Sequence, residues 1–228
     1  MSDRLISIVL PVHNQADHIR SVVAEYGPAL SQIRADSEIV LVPNGCRDDS
    51  EGVCRALAEE QAGVRVVPSA RGGWGLAVRL GLEAARGNIL CYTNSARTAP
   101  QDLVLLLHYA LTYPDAVIKA NRKIREHWSR RLGSLLYNVE CRALFDLSNW
   151  DVNGTPKIFP PRFTRLLGLT RDDDLVDLEF NVICRREGYP MVEVPIFSRR
   201  RHSGRSTTTM RSAVRMYWGA YRLSREVQ

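Results

Sequence analysis

At 228 residues and 25.7 kDa the chain is long enough to bury a core of its own without disulfides or a structural metal. Hydrophobic residues at 45% and charged residues at 25% exclude a disordered chain, and the longest aliphatic run, Leu103–Leu107, is far short of the roughly 20 apolar residues a membrane span needs. The formal charge of +6 is uneven: residues 197–228 hold eight arginines against Glu226, and Lys119, Arg122, Lys123, Arg125, Arg130 and Arg131 stand against Glu126 alone.

Leu5–Val12 follows Met1-Ser2-Asp3-Arg4 directly and reads as a first strand rather than a signal segment, so a cytoplasmic location is expected. Strand-like runs at 5–12, 38–43, 64–67, 88–93 and 116–120 alternate with helical spacing, notably at 75–86 and 101–112. That alternation predicts an α/β fold with a mainly parallel sheet and helices on both faces. The later rhythm differs, with a long helix over 128–145, a strand at 157–159, a helix after Asp174, a strand at 191–194 and a last helix from about 209. No linker or repeat interrupts residues 1–228, which read as one domain with an elaborated second half. Ligands of such sheets lie beyond the carboxyl ends of the strands, so the loops after 11, 42, 68 and 92 are the ones to inspect. Cys46, Cys54, Cys91, Cys141 and Cys184 form no Cys-x-x-Cys pair and read as reduced thiols.

Those loops carry a resemblance. Ser7-Ile8-Val9-Leu10-Pro11-Val12-His13-Asn14-Gln15, then Val42-Pro43-Asn44-Gly45-Cys46-Arg47-Asp48, then Gly73-Trp74-Gly75-Leu76-Ala77 with Gly81 and Ala84-Ala85-Arg86-Gly87-Asn88, resemble in order the frame of glycosyltransferase family 2. Asp151-Val152-Asn153-Gly154-Thr155-Pro156-Lys157-Ile158-Phe159, Asp177-Leu178-Glu179, Glu193-Val194-Pro195 and Arg201-x-x-Gly204-x-Ser206 resemble its dolichol- and polyprenyl-phosphate branch. The resemblance implies a GT-A, Rossmann-like fold, with residues 1–120 as the nucleotide-sugar-binding half, 121–208 as the acceptor half and 209–228 as a basic amphipathic helix. It also implies inverting transfer from a nucleotide-diphosphate sugar, with a lipid phosphate or an anionic membrane surface as the further partner.

One departure stands out. The family places Asp-x-Asp after the fourth strand to hold a divalent metal, and this chain reads Cys91-Tyr92-Thr93-Asn94-Ser95-Ala96-Arg97. Gln15 and Pro43-Asn44 also replace family carboxylates. Hard cations want anionic oxygens, so no metal ligand is nominated, no cofactor is expected, and Mg²⁺ or Mn²⁺ is disfavoured. The resemblance assigns Pro11, His13, Gln15, Asn44 and Asp48 to the nucleotide, Gly73 to its close approach, and Asn94 and Ser95 to the sugar diphosphate. Arg97, with Arg71 as a second candidate, is expected to replace the metal's charge; the plainer reading pairs Arg97 with Asp102.

Arg130, Arg131, Ser134, Arg201 and Ser206 are assigned to acceptor or diphosphate phosphates, which guanidinium groups grip in a bidentate way. Glu179 and Asp177 point apart on a helix, so at most one serves the site; Glu179 is preferred as a catalytic carboxylate, with Asp151 next. Asn44 and Asp48 can equally form an Asx turn and a helix cap, and Asp172-Asp173-Asp174 reads as helix capping. Met210, Val214, Tyr217, Trp218 and Tyr221 make one helical stripe beside Arg211, Arg215 and Arg222, suited either to packing or to a membrane surface. With no recognition motif, nucleic acid is not expected. Two other readings stay open: a nucleotide-sugar-binding protein without catalysis, and an enzyme for a soluble small-molecule acceptor.

Overall fold

The computed structural model describes residues 4–124, 128–197 and 210–227. Strands β1 (Leu5–Val12), β2 (Asp36–Pro43), β3 (Val64–Val66) and β4 (Ile89–Tyr92) alternate with helices α1 (Ile19–Leu30), α2 (Ser50–Glu60), α3 (Trp74–Ala84) and α4 (Pro100–Thr112). Then follow β5 (Val117–Ile124), α5 (Trp128–Phe145), β6 (Lys157–Phe159), α6 (Val176–Arg186), β7 (Met191–Phe197) and α7 (Met210–Val227), with a short 3-10 turn at Thr164–Gly168. The seven strands form one sheet in the order β3-β2-β1-β4-β6-β5-β7. All neighbours are parallel except β6, which runs antiparallel to both β4 and β5. Because β6 lies between β4 and β5, the two halves of the chain share this sheet.

β1 is buried along nearly its whole length, as its uninterrupted apolar run requires of a central strand covered on both faces. Ile6, Ile8 and Leu10 pack with Val22, Tyr26, Cys54, Leu57, Leu103 and Leu107 on the side of α1, α2 and α4. Val9 points the other way, to Ala77, Val78, Leu82, Val176 and Phe180 of α3 and α6. A third cluster, with Tyr137, Cys141, Leu178, Val182, Ala220 and Leu223, joins α5, α6 and α7. The elements match the expected order, and their limits differ at a few ends. α3 stops at Ala84, while β5 and β7 run on to Ile124 and Phe197 because their partnership continues beyond the expected ends.

Candidate functional site

The loops after β1, β2 and β4 meet at the carboxyl ends of those strands and lock onto one another. The Asn44 side chain is buried and donates to the carbonyls of Val12 (2.9 Å) and Val42 (3.1 Å), while its oxygen accepts the Gly73 N–H (3.0 Å). Its side-chain polar atoms serve the backbone and hold three loops together. His13 Nδ1 donates to the Asn44 carbonyl (2.7 Å), which leaves Nε2 to accept from Asn14 Nδ2 (3.2 Å). Asp48 accepts from the amides of Ala16 (3.0 Å) and Ser50 (3.1 Å) and from Ser50 Oγ (2.5 Å). Partial burial opposes its charge, but these hydrogen bonds outweigh it and lower the carboxyl's pKa. Asp48 is therefore a loop organiser. Gln15 Oε1 accepts from Ser95 Oγ (2.7 Å), which also donates to the Pro11 carbonyl (3.3 Å), so the structure brings Pro11, Gln15 and Ser95 together.

Gly73 is packed closely against the segment before α6. A side chain there would meet the Asp172 carbonyl at 2.5 Å, and one on Gly75 would meet the Arg171 carbonyl at 2.2 Å. The glycine-rich strip is thus packed against residues 171–173. Gly45, at φ +53°, takes a left-handed turn that also brings it against Gly72. The Leu76 amide donates to the Asp172 carbonyl (3.0 Å), and the Asp172 carboxylate pairs with Arg71 (2.9 Å) and Arg79. Asp173 Oδ1 accepts the Leu175 amide (3.0 Å) just before α6, whose first turn has no side-chain cap, so the reading of Asp172-Asp173-Asp174 as helix capping is corrected: Asp172 and Asp173 tie the loop to its neighbours. Glu179 is clamped: its carboxylate takes the amides of Thr170 (2.9 Å) and Arg171 (3.0 Å) and the Thr170 hydroxyl (2.6 Å). It organises the segment that supports the strip.

A polar rung crosses four strands of the sheet. Tyr92 of β4 is in register with Lys157 of β6, Lys157 with Lys119 of β5, and Lys119 with Glu193 of β7. In-register residues of neighbouring strands project to one face. Both lysines have no exposed surface. Lys119 Nζ donates to Glu193 Oε1 (2.6 Å), and Lys157 Nζ donates to Asp177 Oδ1 and to the Val152 carbonyl (3.1 Å). Asp177 also accepts from Tyr92 Oη (3.0 Å) and Trp74 Nε1 (3.0 Å). Above the rung Arg122 grips Asp151 through Nε (2.7 Å) and Nη2 (2.8 Å), and its amide donates to the same carboxylate (3.0 Å). Burial pulls the Lys157 pKa down to about 8, with Asp177 opposing and Lys119 adding to the fall. Both oxygens of Asp151 are thus engaged by Arg122.

At the end of β4, Thr93 Oγ1 bonds Thr98 Oγ1 (2.7 Å) and Asn94 Oδ1 accepts the Ala96 amide (3.1 Å). Arg97 is half-buried in this loop. With no carboxylate between Thr93 and Arg97, these groups do not fit a hard divalent cation. Ser134 is half-buried on α5. The side chains of Arg130 and Arg131, and all of Arg201 and Ser206, lie outside the described residues.

The family model for glycosyl transferase family 2 matches residues 7–159, which span the loops just described and β6. The chain belongs to glycosyl transferase family 2. As a member of that family it is similar to the undecaprenyl-phosphate 4-deoxy-4-formamido-L-arabinose transferases of Aeromonas hydrophila, 25% identical over 59% of this chain and 42% of the relative, and Pseudomonas fluorescens, 27% identical over 60% and 41%. The chain spans about two fifths of the length of these curated relatives. In fold this family 2 chain is similar to glucosyl-3-phosphoglycerate synthase from Mycobacterium tuberculosis in complex with phosphoglyceric acid (TM-score 0.75, 19% identity, 97% of this chain and 80% of that one). The same synthase in complex with Mg²⁺ and uridine diphosphate gives a TM-score of 0.74 at 22% identity, over 97% and 79%. The fold is therefore GT-A. Residue reasoning within the family 2 frame passed over Trp74, Lys119 and Lys157. Its available signal was a lysine inside each of two apolar runs, Val117–Ala120 and Lys157–Phe159.

Proposed function

We propose that this chain transfers a sugar from a nucleotide-diphosphate donor to an acceptor that presents a phosphate, most simply a polyprenyl phosphate at a membrane surface. The observation that supports this acceptor class is the commitment of the carboxylates. Asp48, Asp151, Asp177 and Glu179 are each engaged by amides, hydroxyls or a cation. A hydroxyl acceptor needs a base to take its proton, whereas a phosphate is already an anion at neutral pH. Such an acceptor asks for positioning and for positive charge on the departing diphosphate, which Arg130 and Arg131 would provide. The curated relatives are named for transfer to undecaprenyl phosphate. Among the described residues no helix is long and apolar enough to cross a membrane.

Donor binding in this reading is independent of a divalent metal. The donor brings about two negative charges, the loop after β4 offers hydrogen-bond donors in place of carboxylates, and Arg97 supplies a permanent positive charge there. Thermal-shift measurements with UDP, GDP and CMP sugars, each with and without chelator, identify the donor and decide the metal question. Strict metal dependence, or an Arg97→Ala protein with unchanged donor affinity and rate, would sink the arginine's role. Product analysis with polyprenyl phosphate, with 3-phosphoglycerate and with no acceptor then separates a lipid enzyme from one for soluble acceptors. Binding without turnover on either would instead favour a nucleotide-sugar-binding protein that has lost catalysis, the reading that the missing Asp-x-Asp keeps alive.

A further inference from the structure

Asp177 is a carboxylate that the proposed reaction does not use, and it is buried at a junction of three elements. Its Oδ1 takes Lys157 of β6 and the Tyr92 hydroxyl at the end of β4; its Oδ2 takes the Trp74 indole from the glycine-rich strip. Two apolar residues would fill this volume without the cost of burying an ion pair, so the charges call for an explanation beyond stability. The strip itself is held on two sides. Toward the donor loops, Gly73 donates to Asn44 and Gly72 lies against Gly45; toward α6, Gly73 and Gly75 lie on the carbonyls of residues 171–173. Trp74 is the residue between those glycines, half-buried, with its ring edge-on to Tyr92 at 6.4 Å. A continuous path of contacts thus runs from Asn44 through Gly73, Trp74, Asp177 and Lys157 to the Val152 carbonyl, beside the Asp151–Arg122 pair.

We propose that Asp177 is a positioning residue that fixes the glycine-rich strip to the acceptor half through Trp74, so that nucleotide binding depends on a carboxylate that does not touch the nucleotide. This rests on the donor reading above. The hydrogen bond from Trp74 sets where the strip lies; the strip sets Asn44, and Asn44 holds the loops after β1 and β2. Lys157 keeps the carboxylate in place and balances its charge. Removing the indole N–H should free the strip without emptying the core, because a phenyl ring can keep the contact with Tyr92.

Three proteins test this: Trp74→Phe, the pair Lys157→Met with Asp177→Asn, and the pair Lys157→Met with Asp177→Leu. Both pairs lose the buried charges, but only the asparagine retains an acceptor for Trp74. Amide hydrogen exchange over residues 72–77, melting temperature, and calorimetric affinity for UDP and GDP are measured for each. Trp74→Phe and the leucine pair should exchange faster in this strip and bind the nucleotide about fivefold more weakly, the equivalent of one ordinary hydrogen bond. The asparagine pair should stay near wild type in both. Unchanged exchange in Trp74→Phe and the leucine pair overturns the proposal, as does a loosened strip with unchanged affinity. So does an asparagine pair that fails as badly as the leucine pair. A wild-type protein that binds neither nucleotide strikes down the donor reading and takes the proposal with it, whereas a binding wild type with equally binding variants strikes down the proposal alone.

Discussion

Lys157 and Asp177 show how a single buried charge constrains its neighbours. Taking one ion from water costs several kcal/mol, and that cost is offset only while the partner and its hydrogen bonds are present. Lys157→Met alone should therefore destabilise the fold by about 3–5 kcal/mol, because Asp177 is left buried and unpaired. Adding Asp177→Leu should recover much of that loss, which urea denaturation of the single and double variants would show; a double variant less stable than the single one would contradict the account. Gly75 makes a steric counterpart. Its Cβ would lie 2.2 Å from the Arg171 carbonyl and 2.7 Å from that of Asp173, so Gly75→Ala should cost at least about 2 kcal/mol and loosen the strip. At this scale the sequence was only partly legible. Helical geometry told that Asp177 and Glu179 diverge, but which one turns inward depends on how α6 is rotated against the sheet. Glu179 meets the backbone at 170–171, and Asp177 meets the lysine of β6.

α7 shows the same limit for an element. The stripe of Tyr217, Trp218 and Tyr221 reads as one apolar face, yet the structure divides it. Tyr217 turns toward α5, donating to the Gly133 carbonyl (2.7 Å) and meeting the Tyr137 ring edge-on, while Trp218 is 63% exposed and Tyr221 47%. The helix is seated through smaller residues, Ala220, Leu223 and Ser224, and a side chain on Gly219 would meet Leu175 at 2.5 Å. Small residues permit close packing, and a hydropathy pattern weighted to large side chains does not reveal that contact. Arg215, Arg222 and Arg225 are exposed on the same helix as Trp218 and Tyr221, and Leu135, Leu136 and Val139 are exposed on α5. Aromatic residues at headgroup level beside arginines suit an anionic bilayer. Trp218→Ser with Tyr221→Ser should lower sedimentation with anionic vesicles several-fold at low salt and leave the melting temperature within a few degrees, since neither residue is in the core. Deleting α7 would be a poor test, because it uncovers Leu178 and Val182. Equal vesicle binding by the double variant and wild type would remove this helix from any membrane contact.

For the whole molecule, strand and helix alternation made the parallel sheet legible, and the ordered loop motifs made the family legible. The antiparallel β6 was not, because Lys157–Phe159 is a three-residue strand whose sequence carries no direction. The burial of the cysteines was equally hidden, and it leads to a prediction about the entire fold. Cys54, Cys91, Cys141 and Cys184 are buried, and burial pushes the thiols of Cys54, Cys141 and Cys184 up to about 12 and that of Cys91 higher still. In the unfolded chain a thiol ionises near 8.5, so above that pH the unfolded state loses protons that the folded state keeps, and stability falls toward pH 12. Lys157 acts with the opposite sign. Its folded pKa of about 8 lies below the ordinary lysine value, so between the two the unfolded chain binds the extra proton and stability rises with pH. Each fully shifted group contributes a slope of about 1.4 kcal/mol per pH unit over its window, and the four thiols outweigh Lys157 together with Lys119, whose pKa burial also lowers. Stability should therefore begin to fall near pH 8 and decline steeply above about pH 9. Urea midpoints measured from pH 7 to 10.5 check this, and Cys54→Ala and Cys184→Ala should each flatten the alkaline decline whatever they do to the midpoint at neutral pH. A stability that stays level up to pH 10.5, or cysteine variants with the wild-type slope, would show that the buried thiols do not govern the alkaline limit.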